Sequence, residues 1–238
     1  MTNIEQSLAA VRARIQQSCH KAGRSIDAVT LLAVSKTVSH EAIRVAIASG
    51  QRDFGENYIA EGVEKMEALA AERAIFGLQW HCIGPVQSNK TRLVAQHFDW
   101  VHTLDRMKIA ERLNEQRPSD AAALQVCIQV NIDCSSTKSG VPPDEVMALA
   151  LGISKLPHLQ LRGIMAIPDV VLVGSGTAIN NIAIEAIYTP VTHIFNQLKA
   201  LYTTVDTLSI GMSADLEPAI MAGSTMVRVG SAIFGSRA

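Results

Sequence analysis

Apolar runs and amphipathic runs alternate eight times along the 238 residues, and this repeat constrains the fold more than any other feature. "TLLAVS" (30–35) reads as a buried strand, and "SHEAIRVAIASG" (39–50) as the helix after it, with Ser39 as N-cap and Gly50 as its stop. The same pair then recurs. Strand "RDFGE" precedes helix "NYIAEGVEKMEALAAER", "LQWHCIG" precedes "SNKTRLVAQHF", and "WVHTL" precedes "DRMKIAERLNEQ". "LQVCIQVNI" precedes "PPDEVMALALGISKL", and "LQLRGIMAI" precedes a long helical stretch ending around Tyr202. "VDTLSIG" precedes "SADLEPAIMAG", and "STMVRVG" precedes the terminal "SAIFGSRA". Eight strands separated by seven helical segments are the pattern of a (β/α)8 barrel.

Ile4, Leu8, Val11 and Ile15 recur at helical spacing, which predicts an additional amphipathic helix over 3–22 ending near Gly23. Residues 1–23 would then pack where a helix after the eighth strand is missing. An open doubly wound sheet needs no eighth repeat and would leave more chain after the last strand. No Pro/Gly/Ser-rich linker interrupts the chain, and 48% of it is hydrophobic. The expectation is therefore one α/β domain over 1–238, a single-domain (β/α)8 TIM barrel with an extra N-terminal helix.

Charge and cysteines narrow the function classes. Lys+Arg number 21 and Asp+Glu 22, dispersed, so no basic track for a nucleic-acid backbone is expected. Cys19, Cys82, Cys127 and Cys134 form no C-x-x-C pair and have no histidines at zinc-finger spacing. Cys82 and Cys127 lie in strand-like runs, where a reduced cysteine acts as a small hydrophobe. The N-terminus lacks the apolar core of a secretory signal. The longest uncharged run, Val170 to Ile184, has 15 residues, short of the roughly 20 that span a bilayer. A cytoplasmic protein with no membrane and no nucleic-acid partner is expected, and a monomer.

Barrels of this kind bind ligands at the C-terminal ends of their strands. Those ends carry Lys36 after strand one, Glu56-Asn57 after strand two and Asn131 after strand five. Met165 lies at strand six, "SIGMS" (Ser209 to Ser213) after strand seven, and Arg228, Gly230 and Ser231 at strand eight. Phosphate groups often bind between the loops after strands seven and eight. Gly211 permits a close backbone approach, Ser213 supplies a hydroxyl and is expected to cap the following helix, and Gly230 and Ser231 add backbone donors. Read alone, "GMS" is equally a turn and a cap, and Lys36 a strand-end lysine reaching for water. Together they place an amine across the barrel from a phosphate cradle. A partly desolvated lysine is more readily neutral, and neutral amine attacks an aldehyde. Pyridoxal 5'-phosphate (PLP) fits both ends.

"LLAVSK", "FGENY", "WHCIGPVQSNK", "LRGIMAIP", "LSIGMSADLEPAI" and "GSTMVRVGSAIFG" together resemble the pyridoxal-phosphate homeostasis protein family, which is similar to the barrel domain of alanine racemase. The resemblance implies that Lys36 carries PLP as a Schiff base and that Ser213, Gly230 and Ser231 hold the phosphate. It implies that Arg228 faces the pyridine nitrogen, with Asn57 and Met165 beside the ring and Ser209 a second-tier contact. Residues 169–187 depart from the family, which has a polar, charged segment there, and Ala214 stands where many relatives have an acid.

Arginine stays protonated and donates to the ring nitrogen, whereas many PLP enzymes place a carboxylate there to strengthen the electron sink. Alanine-type racemases use a second acid/base, a tyrosine from another domain. The tyrosines here are Tyr58, Tyr188 and Tyr202, the last two between strands six and seven. The expectation is a PLP carrier and homeostasis protein, with apo PLP-dependent enzymes as partners and no catalytic residue. A weak amino-acid racemase and a non-binding scaffold are the rivals. Dinucleotide binding by "VVLVGSGTAI" fails because Ile179 takes the third glycine's place. His81 and His97 receive no role, and Lys138 reads as a surface lysine or a secondary aldehyde acceptor.

Overall fold

The β-branched runs form eight parallel strands that close in sequence order. The computed structural model describes residues 3–135, 137–168 and 181–235. The strands are β1 (Thr30–Val34), β2 (Asp53–Glu56), β3 (Gln79–Cys82), β4 (Trp100–Leu104), β5 (Leu124–Val130), β6 (Leu159–Ala166), β7 (Thr207–Ser209) and β8 (Met226–Val229). β1 closes the barrel by pairing with both β2, Ala33 opposite Phe54, and β8, Leu32 opposite Arg228. The protein is thus a (β/α)8 barrel, as the repeat predicts.

The helices are α1 (Asn3–Lys21), α2 (His40–Ala48), α3 (Ile59–Ala68), α4 (Ala70–Phe76), α5 (Thr91–His97), α6 (Met107–Gln116), α7 (Val146–Ile153), α8 (Asn181–Leu201), α9 (Leu216–Met221) and α10 (Ser231–Phe234). The helix after β1 starts as expected, with the Ser39 hydroxyl accepting from Ala42 N–H at 3.3 Å, and Gly50 ends it at φ +85°. α1 packs against α2, α9 and α10, in the place a helix after β8 would fill. None of the described helices is long and apolar enough to cross a membrane.

One helix differs from expectation. The run after β2 breaks at Leu69, which leaves the helical region at φ −115°, ψ 21°. Leu69 is fully buried. The Arg44 guanidinium holds the end of α3 by donating to the Ala68 carbonyl at 3.1 Å. Arg73 on α4 pairs with Asp99, just before β4, at 2.6 Å. These two anchors redirect the chain where the sequence has no glycine or proline to mark a break. The stretch "VVLVGSGTAI", rejected above as a dinucleotide fingerprint, and residues 169–180 of the divergent segment lie outside the described residues.

The core has two layers. Side chains such as Ile43, Trp80, Leu113, Leu198 and Ile220 fill the shell between strands and helices. A separate cluster of Trp100, Cys127 and Met165 occupies the barrel interior. Polar side chains share that interior, and they lead to the site.

Candidate functional site

Lys36, Asn57, Met165, Ser213, Arg228, Gly230 and Ser231 all line one cavity of about 340 Å³ at the C-terminal mouth of the barrel. Parallel strands impose this convergence, because every strand delivers its following loop to the same end. Lys36 lies two residues beyond β1 and is half-buried. Asn57 follows β2 directly, and its side-chain oxygen is buried without a hydrogen-bond partner among the described residues. A buried acceptor left unsatisfied costs about 1–3 kcal/mol, so this atom marks where a ligand donor would be favoured.

Gly84, in the loop after β3, explains why "WHCIG" needs its glycine. A Cβ there would lie 2.0 Å from the Asn57 carbonyl oxygen. The backbones of the two loops touch, and the Thr103 hydroxyl ties Gly84 down by donating to its carbonyl at 2.7 Å.

The serine side of the cavity combines the loops after β7 and β8. The hydroxyls of Ser213 and Ser231 approach to 3.5 Å, the outer limit of a hydrogen bond. In α10 the first turn closes with Ile233 N–H donating to the Gly230 carbonyl. The amides of Ser231 and Ala232 precede that bond and have no intrahelical acceptor. Ser213 does not cap α9 as expected. The helix starts at Leu216 with Asp215 in the cap position, and Asp215 turns back to accept from Met212 N–H at 2.7 Å. That contact closes the 212–215 turn and leaves the Ser213 hydroxyl to the cavity.

Two further groups brace this loop. Tyr188 of α8, fully buried, donates its hydroxyl to the second Asp215 oxygen; burial and that carboxylate push the phenol pKa well above its usual range. Arg14 of α1 donates to the Ser213 carbonyl at 3.0 Å and pairs with Glu217 at 2.7 Å. Gly211, at φ +91°, makes the bend possible; a Cβ there would meet the Ala219 methyl at 2.4 Å.

Beneath Lys36 lies a buried ion pair. Lys65 of α3 donates to Glu56 at 3.0 Å, to Glu61 at 2.5 Å and to the Ser35 carbonyl at 2.6 Å. The Ser35 hydroxyl donates to Glu56 at 2.6 Å, and Thr37 N–H donates to Glu61 at 2.6 Å. Thr37 takes a left-handed φ of +60°. The residues flanking Lys36 on both sides are therefore pinned. Burial raises the Glu56 carboxyl above the usual range, with Lys65 and Ser35 opposing.

Arg228 lies 5% exposed at the cavity floor. Its guanidinium donates to the Ser209 carbonyl at 2.6 Å, the Ser209 hydroxyl at 2.8 Å and the Ala166 carbonyl at 3.1 Å. Burial draws its pKa down to about 10, opposed by the Tyr188–Asp215 pair, so it is a cation at neutral pH. Ser209 does not line the cavity and acts on it through Arg228.

The other candidates fall elsewhere. Asn131 accepts from Ser135 N–H within its own loop. Lys138 pairs with Asp133 and donates to the Ile167 carbonyl at 3.0 Å. His97 ends α5, away from the mouth. His81 is buried in the barrel interior, bonded to His102. Among the described residues no group of three His, Cys, Asp or Glu could hold a metal.

The family model of the alanine racemase N-terminal domain matches residues 6–238. The pyridoxal phosphate homeostasis protein of Vibrio cholerae is 50% identical over 237 residues, 100% of this chain and 98% of the relative. That of Escherichia coli is 49% identical over 239 residues, again 100% and 98%. The chain belongs to this family. Among solved structures, PipY of Synechococcus elongatus without PLP has a TM-score of 0.81 at 32% identity, covering 98% of this chain and 100% of PipY. PipY with PLP bound has a TM-score of 0.76 at 33% identity, with the same coverage. Alanine racemase of Corynebacterium glutamicum, at 17% identity and a TM-score of 0.64, shares the fold over 97% of this chain and 62% of its own.

Proposed function

We propose that this protein binds pyridoxal 5'-phosphate in the cavity at the C-terminal mouth, holds it covalently on Lys36, and serves its intracellular storage and delivery to apo PLP-dependent enzymes. It does so as a cytoplasmic monomer, without turnover of its own. The observation that carries this reading is the distribution of chemistry round one cavity: an amine at Lys36, a buried cation at Arg228, and the Ser213 and Ser231 hydroxyls on the anion side. Its volume lies within the range of small-molecule sites, roughly 300–1,000 Å³. Asn57 lines the cavity, and its buried side-chain oxygen lacks a hydrogen-bond partner among the described residues. PipY, a relative of known structure, has been solved with PLP bound.

Bound PLP supplies an aldehyde electrophile and an electron-withdrawing ring. Lys36 would take the aldehyde carbon with its amine, water leaving. Ser213, Ser231 and the Gly230–Ser231 backbone would hold the phosphate. Met165, on the wall, would bound the ring. Arg228 donates only, so a ring nitrogen placed against it would stay an unprotonated acceptor, which would weaken the electron sink. No tyrosine or histidine among the described residues lines the cavity opposite Lys36. Tyr188 is already committed to Asp215 behind the phosphate loop. General acid–base assistance is worth about 10²–10⁴-fold, and here one partner is lacking. The curated relatives are named for homeostasis.

The test is the absorption spectrum of the purified protein. A visible band should appear with PLP, and borohydride should fix the label on the peptide containing Lys36. Lys36→Ala should lose the band while still binding some cofactor, and should release it faster to an apo enzyme. A protein that stays colourless with PLP would refute the reading. Steady deuterium exchange at an amino acid's α-carbon, lost in Lys36→Ala, would replace the carrier with a racemase.

A further inference from the structure

The barrel interior holds a continuous line of hydrogen bonds that ends at the cavity floor. Arg228 donates to the Ser209 hydroxyl at 2.8 Å. That hydroxyl lies 3.0 Å from His102 Nδ1, His102 Nε2 lies 3.0 Å from His81 Nδ1, and His81 Nε2 lies 3.2 Å from Asp53 Oδ1. Asp53 is the first residue of β2, so the line runs from one mouth of the barrel to the other. Ser209, His81 and His102 are each fully buried.

The chemistry allows this line one direction. Arginine has no acceptor, so Ser209 accepts from it and must place its own proton elsewhere. Among the described residues, the acceptor that its hydroxyl reaches is His102 Nδ1. That nitrogen therefore carries no proton, and His102 carries one on Nε2. His81 Nδ1 must then accept, which puts the His81 proton on Nε2, facing the Asp53 carboxylate. Both rings are neutral in this arrangement, and every donor has an acceptor. The opposite direction would leave the Ser209 proton with none. Burial, with His81 and Arg228 adding to it, holds the His102 pKa well below 6.5, in the same sense. Stacking keeps the rings in place: His81 lies 5.2 Å from Trp100 at 13°, and Arg162 closes the far mouth 4.8 Å over the Trp100 ring.

We propose that Ser209, His102 and His81 are positioning residues for Arg228, forming a hydrogen-bond relay of one direction that fixes the guanidinium as a donor at the cavity floor. The relay does not conduct protons to the cavity, because its last member is an arginine that keeps its protons. Its effect is orientation. Both Nη1 hydrogens are held by Ser209, and Nη2 is steered by the Ala166 carbonyl. The floor is thereby set to read a ring atom that accepts a hydrogen bond. This last consequence rests on the PLP reading above; the relay itself does not.

Two measurements test it. In protein with ¹⁵N-labelled histidine, long-range ¹H–¹⁵N correlation should show His81 and His102 neutral with the proton on Nε2. A coupling across the His102 Nε2–His81 Nδ1 hydrogen bond identifies the pair. A proton on Nδ1, or an imidazolium, in either ring at neutral pH would overturn the proposal. The second arm compares PLP with its analogue bearing carbon in place of the ring nitrogen. Ser209→Ala should weaken PLP about ten-fold, the scale of a hydrogen bond to a charged group, and the analogue less than about two-fold by the same reasoning. Equal weakening, or none, would reduce Ser209 to a structural role and overturn the proposal. If wild type binds neither ligand, the PLP reading fails and the tautomers still decide the relay. If Ser209→Ala does not fold, the tautomers decide it as well.

Discussion

Tyr188→Phe isolates the clamp behind the loop that carries Ser213. The change removes one hydroxyl from a fully buried ring and leaves the packing of α8 intact. What is lost is a hydrogen bond to a carboxylate at a site where Asp215 is itself 4% exposed, so water cannot readily replace it. A hydrogen bond to a charged group contributes about 1.5–3 kcal/mol. For a chain of 150–250 residues each kcal/mol shifts the melting temperature by roughly 2–4 °C, so Tyr188→Phe should melt about 3–12 °C lower by these figures.

A binding signature should accompany the stability loss. The other Asp215 oxygen holds Met212 N–H at 2.7 Å and so shapes the turn that presents Ser213. Loosening it should weaken PLP several-fold and leave unphosphorylated pyridoxal nearly unchanged. Thermal melts of the ligand-free protein and paired titrations with the two aldehydes are the assays. Asp215→Asn and the double variant complete a cycle in which the coupling should exceed about 0.5 kcal/mol. Melting within about 1 °C of wild type, equivalent to roughly 0.25–0.5 kcal/mol, or equal weakening of both aldehydes, would refute the clamp.

Three other perturbations follow from the same geometry. Lys65→Met strands the buried Glu56 carboxyl and should cost about 3–5 kcal/mol in urea unfolding; adding Glu56→Gln should recover part of it, and a larger loss in the double variant would contradict the pairing. Gly84→Ala forces a methyl against the Asn57 carbonyl and should cost about 1–3 kcal/mol or more, weakening PLP and pyridoxal alike, since Asn57 is remote from the serine side; unchanged stability would mean that the two loops do not touch. His102 is held neutral in the folded protein and titrates near pH 6.5 when unfolded. Between its folded value and about 6.5 the unfolded chain binds more protons, so stability should fall as pH drops below about 6.5, by up to about 1.4 kcal/mol per unit. Urea midpoints across that range, compared with His102→Gln, should show the slope in wild type only.

The barrel and the residues round its cavity were legible in the sequence for one reason. A (β/α)8 repeat assigns every strand end to the same mouth, so Lys36, Asn57, Met165, Ser213, Arg228, Gly230 and Ser231 could be gathered without knowing a single side-chain contact. What braces them was not legible, because it depends on partners that strand periodicity leaves open. Alternation says that His102 and Ser209 face either the interior or the helices, but not that residues 107 apart will meet. Lys65 left a faint sign, a charge beside the apolar stripe of Val63, Met66 and Leu69, yet its partners lie across two strand ends. Ser213 and Asp215 are both good helix caps by type, and only the Met212 contact decides between them.

The residues missed share a second property that bears on function. Lys65, Tyr188, Asp215 and His102 are all buried and polar, and each acts on the cavity through a neighbour: Lys65 through Ser35, Tyr188 and Asp215 through the Ser213 turn, His102 through Ser209 and Arg228. Buried polar groups cost stability unless every bond is made, so a chain that keeps several of them under one mouth has traded stability for position. An enzyme would use such precision to align a reacting bond with an acid and a base. In the function proposed above the aligned groups would be a donor for a ring nitrogen, hydroxyls for a phosphate and an amine for an aldehyde, with no tyrosine or histidine among the described residues lining the cavity. Rigid placement of binding groups round a single covalent anchor would favour tight, slowly reversible retention, the behaviour that the proposed storage and handover of a reactive aldehyde would require.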